Sequence, residues 1–285
     1  MKFVRFQINS VEGLAVLTTN GAHGLLANEA RYPGNLDALI QKGSGALKAA
    51  GEVLASAPAV NLSRASYLPP FSAPEKIICI GLNYRDHSAE SGFKQPDYPT
   101  IFNRFNSSLV GHGAPVIKPR VSDNVDYEGE LVAVIGQDGR HIAKDKALAH
   151  VAGYSVFNDV SIRDYQFKSP QWTVGKNFDG TGAFGPCFVT ADELPQGAKG
   201  LKLTTRLNGS VMQQASTDDM VFDVATLVST ISEAMTLKAG DVIVTGTPSG
   251  VGQSRKPPVW MKAGDLVEIE IEKIGTLSNK VAAEA

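Results

Sequence analysis

The sequence predicts an α+β protein that is mainly β, on three observations. Short apolar or alternating runs of strand length recur along most of the chain. Between them fall 28 glycines and 15 prolines, the residues that punctuate turns. Sustained helical periodicity is confined to residues 35–55 and one segment beyond residue 223, which argues against a helical bundle. With 285 residues, of which 43% are hydrophobic and 20% charged, the chain suits one sizeable domain or one plus a small partner. Its formal net charge of -2 excludes a strongly basic nucleic-acid binder and an acidic disordered tail. No apolar run approaches the ~20 residues of a membrane span, and the opening MKFVRFQINSVEG lacks a signal-peptide core. Cys79 and Cys187, each in a hydrophobic stretch, are no disulfide framework, so a reduced, cytoplasmic setting is expected.

Taken in order, MKFVRFQI and GLAVLTT read as strands, and Asn20-Gly21 as a hairpin turn before HGLLA. Asn35–Ile40 and Ala46–Ala55 follow with helical spacing, completing a small α/β unit. Residues 58–75 carry four prolines without periodicity and read as a linker. The boundaries expected are therefore 1–73 for a small N-terminal α/β domain with its Pro-rich linker and 74–285 for the main domain. There KIICIG is a buried-strand run closed by Gly81. YEGELVAVIG alternates with Glu128, Glu130, Val132 and Val134 on one face, and VAGYSVFNDV reads likewise. LKLTTRLNGSVMQQ is a hairpin about Asn208-Gly209, and DLVEIEIEKIG alternates as a half-exposed strand. Asp223 is placed to cap a helix whose stripe is Val224, Leu227, Val228, Ile231, Ala234 and Met235, with Gly240 just past its end.

Three constellations could carry chemistry. Glu128 and Glu130 share one strand face with two valines, so both carboxylates should enter a packed interior. Like charges there are costly unless a cation sits between them, and a hard divalent ion such as Mg2+ answers the need. The plainer reading is a polar edge-strand face, since Glu268, Glu270 and Glu272 show the same spacing. Asp159, at the end of GYSVFNDV, could complete a three-carboxylate site or simply cap the next turn.

In NYRDHSAE, His87 and Glu90 lie three apart and face the same way on a helical turn, the arrangement of an oriented general base or of a surface ion pair. Ser88 is too generic to be a nucleophile, and there is no GxSxG elbow. TGTPSGVG, residues 245–252, lacks the lysine of a phosphate-binding P-loop. It could offer backbone N–H groups and the Thr247 hydroxyl to an anionic or carbonyl ligand, or be a plain loop. Lys176 in GKNFDG, with Arg163 and Gln166, could orient a carboxylate.

The ordered segments GLNYRDHSAE, DYEGELVAVIG, GYSVFNDVSIRDYQ, GKNFDGTGAFGP, LNGSVMQ and VIVTGTPSGVG resemble the fumarylacetoacetate hydrolase family over roughly residues 74–275. The resemblance implies a β-sandwich roll, usually a homodimer. It matches Glu128, Glu130 and Asp159 to ligands of Mg2+ or Mn2+, and His87 and Glu90 to a catalytic dyad on a segment that orders over substrate. It matches Lys176 to the lysine near the metal, and Arg163, Gln166 and Thr247 to substrate contacts. Where many relatives carry Phe-x-Lys, this chain has Phe102-Asn103-Arg104, and Arg104 is expected to bind a substrate carboxylate with its planar fork.

The activity implied is metal-dependent hydrolysis of a carbon–carbon bond in an acylpyruvate or other 2,4-diketo acid, yielding pyruvate and a carboxylic acid. The alternative at the same site is isomerisation, tautomerisation or decarboxylation of a 2-keto diacid. A non-catalytic small-molecule binding module is the remote one. The partner expected is a small 2-keto or 2,4-diketo acid, with neither nucleic acid nor membrane.

Overall fold

A computed structural model describes residues 1–92 and 94–285. Its centre is an eleven-stranded sheet, and the main path runs Gly21–Leu26, Val11–Thr18, Lys2–Ile8, Gly182–Thr190, Val151–Asp159, Gly129–Ile135, Val242–Val244, Ile77–Gly81, Thr100–Arg104. A five-stranded sheet runs Ser210–Ser216, Lys202–Leu207, Leu266–Ile271, Gly275–Ala283, Val116–Lys118. The fold is the α+β, mainly β arrangement expected.

The alternation of the Gly129–Ile135 strand explains how the layers stack. Leu131, Ala133 and Ile135 face a core shared with Leu203, Ile269, Ile271 and Leu277 of the smaller sheet and with Val228 and Ile231 of helix Val224–Ala234. Val132 and Val134 face the opposite core, with Phe157, Phe184 and Phe188 and with Leu36, Ile40, Leu47 and Leu54 of the N-terminal helices. A strand covered on both faces is mostly apolar, and this one, Glu130 apart, follows that rule and is buried at every position. Against the smaller sheet the approach is closest at Gly129, where a Cβ would lie 2.2 Å from Thr205 Oγ1. Only glycine fits between Glu128 and Glu130 there.

Turn chemistry follows the residue types. Asn208 and Gly209 have φ of 51° and 80°, both left-handed, as a two-residue hairpin requires. Asn9 and Ser10, at 49° and 65°, make the same kind of turn between the first two strands. Those strands extend the main sheet, with Lys2 opposite Val189 and Phe3 opposite Phe188. Helix Leu36–Gln41 is capped by Asn35, and Ser44–Ala55 starts two residues before its apolar spacing suggests. Helix Val224–Ala234 is capped by Asp223 as expected but ends at Met235; Gly240, with φ of 97°, makes the turn into Val242–Val244 instead.

Strand Gly182–Thr190 has no sequence signal, because its glycines and Pro186 read as turn. The register against Val151–Asp159 shifts between Tyr154 and Val156, and that irregularity accommodates the proline inside a central strand. No helix among the described residues is long and apolar enough to cross a membrane.

Candidate active site

Two antiparallel segments build the acidic centre. Asn158 lies opposite Gly129 and Phe157 opposite Glu130, while Ser161 lies opposite Asp126. The Asp159 N–H donates to the Glu128 carbonyl at 2.9 Å, and the Glu128 N–H to Asn158 Oδ1 at 3.0 Å. This pairing sets Asp159 beside Glu128 and Glu130. One carboxylate oxygen from each of the three lies within 4.8 Å of the others, and all three residues are buried. Among the described residues this is the only cluster of three or more His, Cys, Asp or Glu groups spaced for a metal ion. Hard oxygen donors of this number fit a divalent ion of the Mg2+ kind.

Three cations are threaded through the acids. Lys176 Nζ donates to Glu128 Oε2 at 2.6 Å and to Asp159 Oδ2 at 2.7 Å. Arg163 lies 2.7 Å from Glu128 Oε1 and 2.8 Å from Asp126 Oδ2. Arg104 donates to Asp159 Oδ1, to the Val160 carbonyl and to Thr181 Oγ1. Short helices Arg163–Gln166 and Thr173–Lys176 supply the first two cations and pack closely at Gly175, where a Cβ would lie 2.4 Å from the Gln166 nitrogen.

The two strand glutamates differ sharply in consequence. Burial pushes Glu128 up, but Lys176 and Arg163 outweigh it and hold the carboxyl at about 2. Glu130 fares differently. Burial, followed by the charges of Asp159 and Glu128, drives its carboxyl well above the usual range, and Lys176 and the Gly246 N–H that donates to it offset only part of this. Burial alone would lower Lys176; Asp159 and Glu128 raise it above its ordinary value, so it stays charged.

A cleft of about 300 Å³ opens over this floor. Glu128, Glu130, Lys176, Arg163, Gln166, Thr247 and His87 all line it, together with an apolar wall that includes Ile80, Phe102 and Trp172. The rings of Phe102 and Trp172 meet edge to face with centroids 5.6 Å apart. On helix Arg85–Glu90, His87 Nδ1 is 3.0 Å from Glu90 Oε1, which leaves Nε2 for the cleft. Glu90 also accepts the Gly250 N–H, tying this helix to the glycine loop.

Nine of the ten residues singled out from the sequence therefore converge on the cleft or on the dyad and acids at its edge. Arg104 lies instead behind Asp159, buried, with its nitrogens committed to Asp159, Val160, Thr181 and Ser108. Its place is to hold an acid rather than to line the cleft.

Two supporting residues were missed. Asp126 is fully buried and accepts from the Gly252, Gln253 and Tyr127 N–H groups and from Arg163 Nε. Its signal was available, because Asp126, Glu128 and Glu130 alternate along one segment. Gln213, on the smaller sheet, accepts the Gly129 N–H at 3.0 Å and donates to Thr247 Oγ1 at 2.8 Å; it closes the LNGSVMQ segment, but nothing there marks it as a neighbour of the site.

Known proteins resemble this chain in sequence and in fold. A family model described as "Fumarylacetoacetate (FAA) hydrolase C-terminal" matches residues 76–282. The chain is 41% identical to the Homo sapiens protein titled "Oxaloacetate tautomerase FAHD2A, mitochondrial", over 99% of this chain and 91% of that one. A solved fumarylacetoacetate hydrolase from Exiguobacterium antarcticum superposes with a TM-score of 0.82 at 36% identity, covering 100% of both chains. Maleylpyruvate hydrolase from Sphingobium.sp SYK-6 does so at 0.83 and 28% identity, again over 100% of both chains.

Proposed function

From the premise that this chain belongs to the fumarylacetoacetate hydrolase family, we propose that it interconverts the enol and keto forms of a small 2-keto diacid of the oxaloacetate type. The observation that carries this reading is the placing of one imidazole, His87, in the same cleft as Glu128, Glu130 and Lys176. Identity to an oxaloacetate tautomerase along nearly the whole chain supports it.

Glu128, Glu130 and Asp159 would hold Mg2+ or Mn2+, which would supply Lewis acidity toward a keto oxygen. The chain's own groups manage the proton. Glu90 engages Nδ1 of His87 and so keeps Nε2 as the acceptor, and a carboxylate in that position raises the ring's basicity. His87 takes a proton from C3 of the keto acid and returns one to the enolate oxygen, or the reverse. Nothing is lost from the substrate. Lys176, held charged at the floor, offsets the negative charge that develops on the way. Gln166, whose Oε1 is occupied by Arg163 NH1 at 2.8 Å, turns its amide N–H groups to a substrate carboxylate.

Carbon–carbon hydrolysis of an acylpyruvate is the second reading. The same dyad could draw the proton from water, and the likeness to maleylpyruvate hydrolase favours it. Incubation of oxaloacetate and a panel of 2,4-diketo acids with Mg2+ separates the two. Loss of enol absorbance with substrate mass conserved supports tautomerisation, whereas release of two acids overturns it in favour of hydrolysis.

A further inference from the structure

We propose that the cleft takes a further class of substrate, monocarboxylic 2-keto acids with a planar apolar group on C3, as in arylpyruvates. Phe167, Trp172 and Phe102 form the subsite for that group. This rests on the keto–enol reading above and adds a substrate class to it.

The charges of the cleft do not call for a second carboxylate. Of the described residues that line it, the lysine and arginine are Lys176 and Arg163, and both are already paired. Lys176 meets Glu128 and Asp159 at 2.6 and 2.7 Å, and Arg163 meets Asp126 and Glu128 at 2.8 and 2.7 Å. The end of the substrate remote from its keto-acid head therefore finds no unpaired lysine or arginine in the lining.

What it finds is aromatic. Phe167 is 47% exposed, and among the described residues it is the one large apolar side chain so exposed that also lines the cleft. It directly follows Gln166, another lining residue. An exposed apolar ring in a concave site marks a place for an apolar part of a ligand.

Strand register places the other two rings. Val132, Val244, Cys79 and Phe102 are successive partners across four strands. Glu130 and Gly81 lie one step further along, two residues from Val132 and Cys79 in the same direction, and so on the same face. Strands lie about 4.8 Å apart, which sets Gly81 roughly 10 Å from Glu130. The Trp172 indole rests on Gly81, where a Cβ would lie 2.4 Å from its Cζ3. Acidic floor and aromatic wall thus face one cleft of about 300 Å³, and a cavity about half that size holds a benzene ring.

The chemistry is unchanged. The C3–H bond breaks, an O–H bond forms at C2 and the double bond moves from C=O to C=C, or the reverse, with no co-reactant. An aryl group on C3 conjugates with the enol and so makes it a more persistent species.

The test compares phenylpyruvate with pyruvate on the Mg2+-loaded protein by calorimetry. The two share a keto-acid head, so their affinity ratio reads the ring. Wild type should bind phenylpyruvate about tenfold more tightly or better, as burial of much of a ring requires. It should also speed the loss of phenylpyruvate enol absorbance above the buffer rate, with mass conserved. Phe167→Ala and Trp172→Ala should each lower the affinity ratio by about threefold to tenfold, the effect of one aromatic contact. Should Trp172→Ala fail to fold, Gly81→Ala, which drives a Cβ against the indole, is read in its place.

A wild-type ratio near one, a ratio unmoved in both variants, or tight binding without faster enol conversion would overturn the inference. Oxaloacetate is the control. If it binds and phenylpyruvate does not, only this inference falls; if no keto acid binds, the 2-keto acid reading falls with it.

Discussion

Both carboxylate oxygens of Glu90 accept the backbone N–H of Gly250, at 3.0 and 2.9 Å. One of them also meets His87, so a single side chain orients the imidazole and fastens its helix to the loop that carries Thr247. The base and the loop are thereby kept in register.

Loss of either dyad member should therefore cost the same step. His87→Ala and Glu90→Ala are each expected to lower kcat by about 10²–10⁴-fold, the range of general acid–base catalysis. The double variant should add little to the worse single one. Steady-state rates on oxaloacetate enol check this, and a His87→Ala protein with wild-type turnover removes the imidazole from the mechanism.

Glu128 is kept ionised, at about 2, by its two cationic neighbours. Glu128→Ala should abolish calorimetrically measurable Mg2+ binding and leave Lys176 and Arg163 with one carboxylate fewer. Normal Mg2+ affinity in the variant would show that the triad is not the metal site.

Asp126 has four hydrogen-bond donors and no exposed surface. Asp126→Ala leaves Arg163 to Glu128 and Gln166 but strands the Gly252 and Gln253 amides, and is expected to destabilise the fold by about 2–4 kcal/mol. Urea unfolding measures it. A loss below about 1 kcal/mol, the net worth of a single hydrogen bond, would show that Arg163 and the loop do not depend on Asp126.

At Asp223, burial raises the carboxyl, but the Thr226 hydroxyl and amide and Lys199 outweigh it and bring the group to about 2. A depressed carboxyl stabilises the folded state above its unfolded value, near ~3.9, and loses that contribution as pH falls through the folded value. The stability difference between wild type and Asp223→Ala should thus be about 1 kcal/mol and flat from pH ~7 to ~5. It should shrink below pH ~4. Asn, itself a good cap, should preserve most of it. A difference that grows on acidification contradicts the assignment.

Much of this was legible beforehand where a local period governs. Period-two alternation located Gly129–Ile135 and Leu266–Ile271, and the same alternation put Glu128 and Glu130 on one face. His87 and Glu90 needed only the helical turn between them. Strand Gly182–Thr190 escaped because Pro186 and several glycines read as a turn. Arg104 is expected at a substrate carboxylate because the resemblance puts a cation there and a guanidinium suits a carboxylate. The guanidinium's chemistry does not say whose carboxylate, and the one it meets is Asp159.

By itself, then, the sequence determined the face on which groups of its alternating strands project, the Asn208-Gly209 turn, the Asp223 cap and the family, since these are set by covalent spacing and local conformation. The tertiary structure decided the partners. Strand register joined Asp159 to Glu128. Packing at Gly175 drove Lys176 and Arg163 among the acids and split the two glutamates into one firmly ionised and one pushed toward its neutral form. Charge state depends on neighbours distant in the chain, and only the closed fold supplies them.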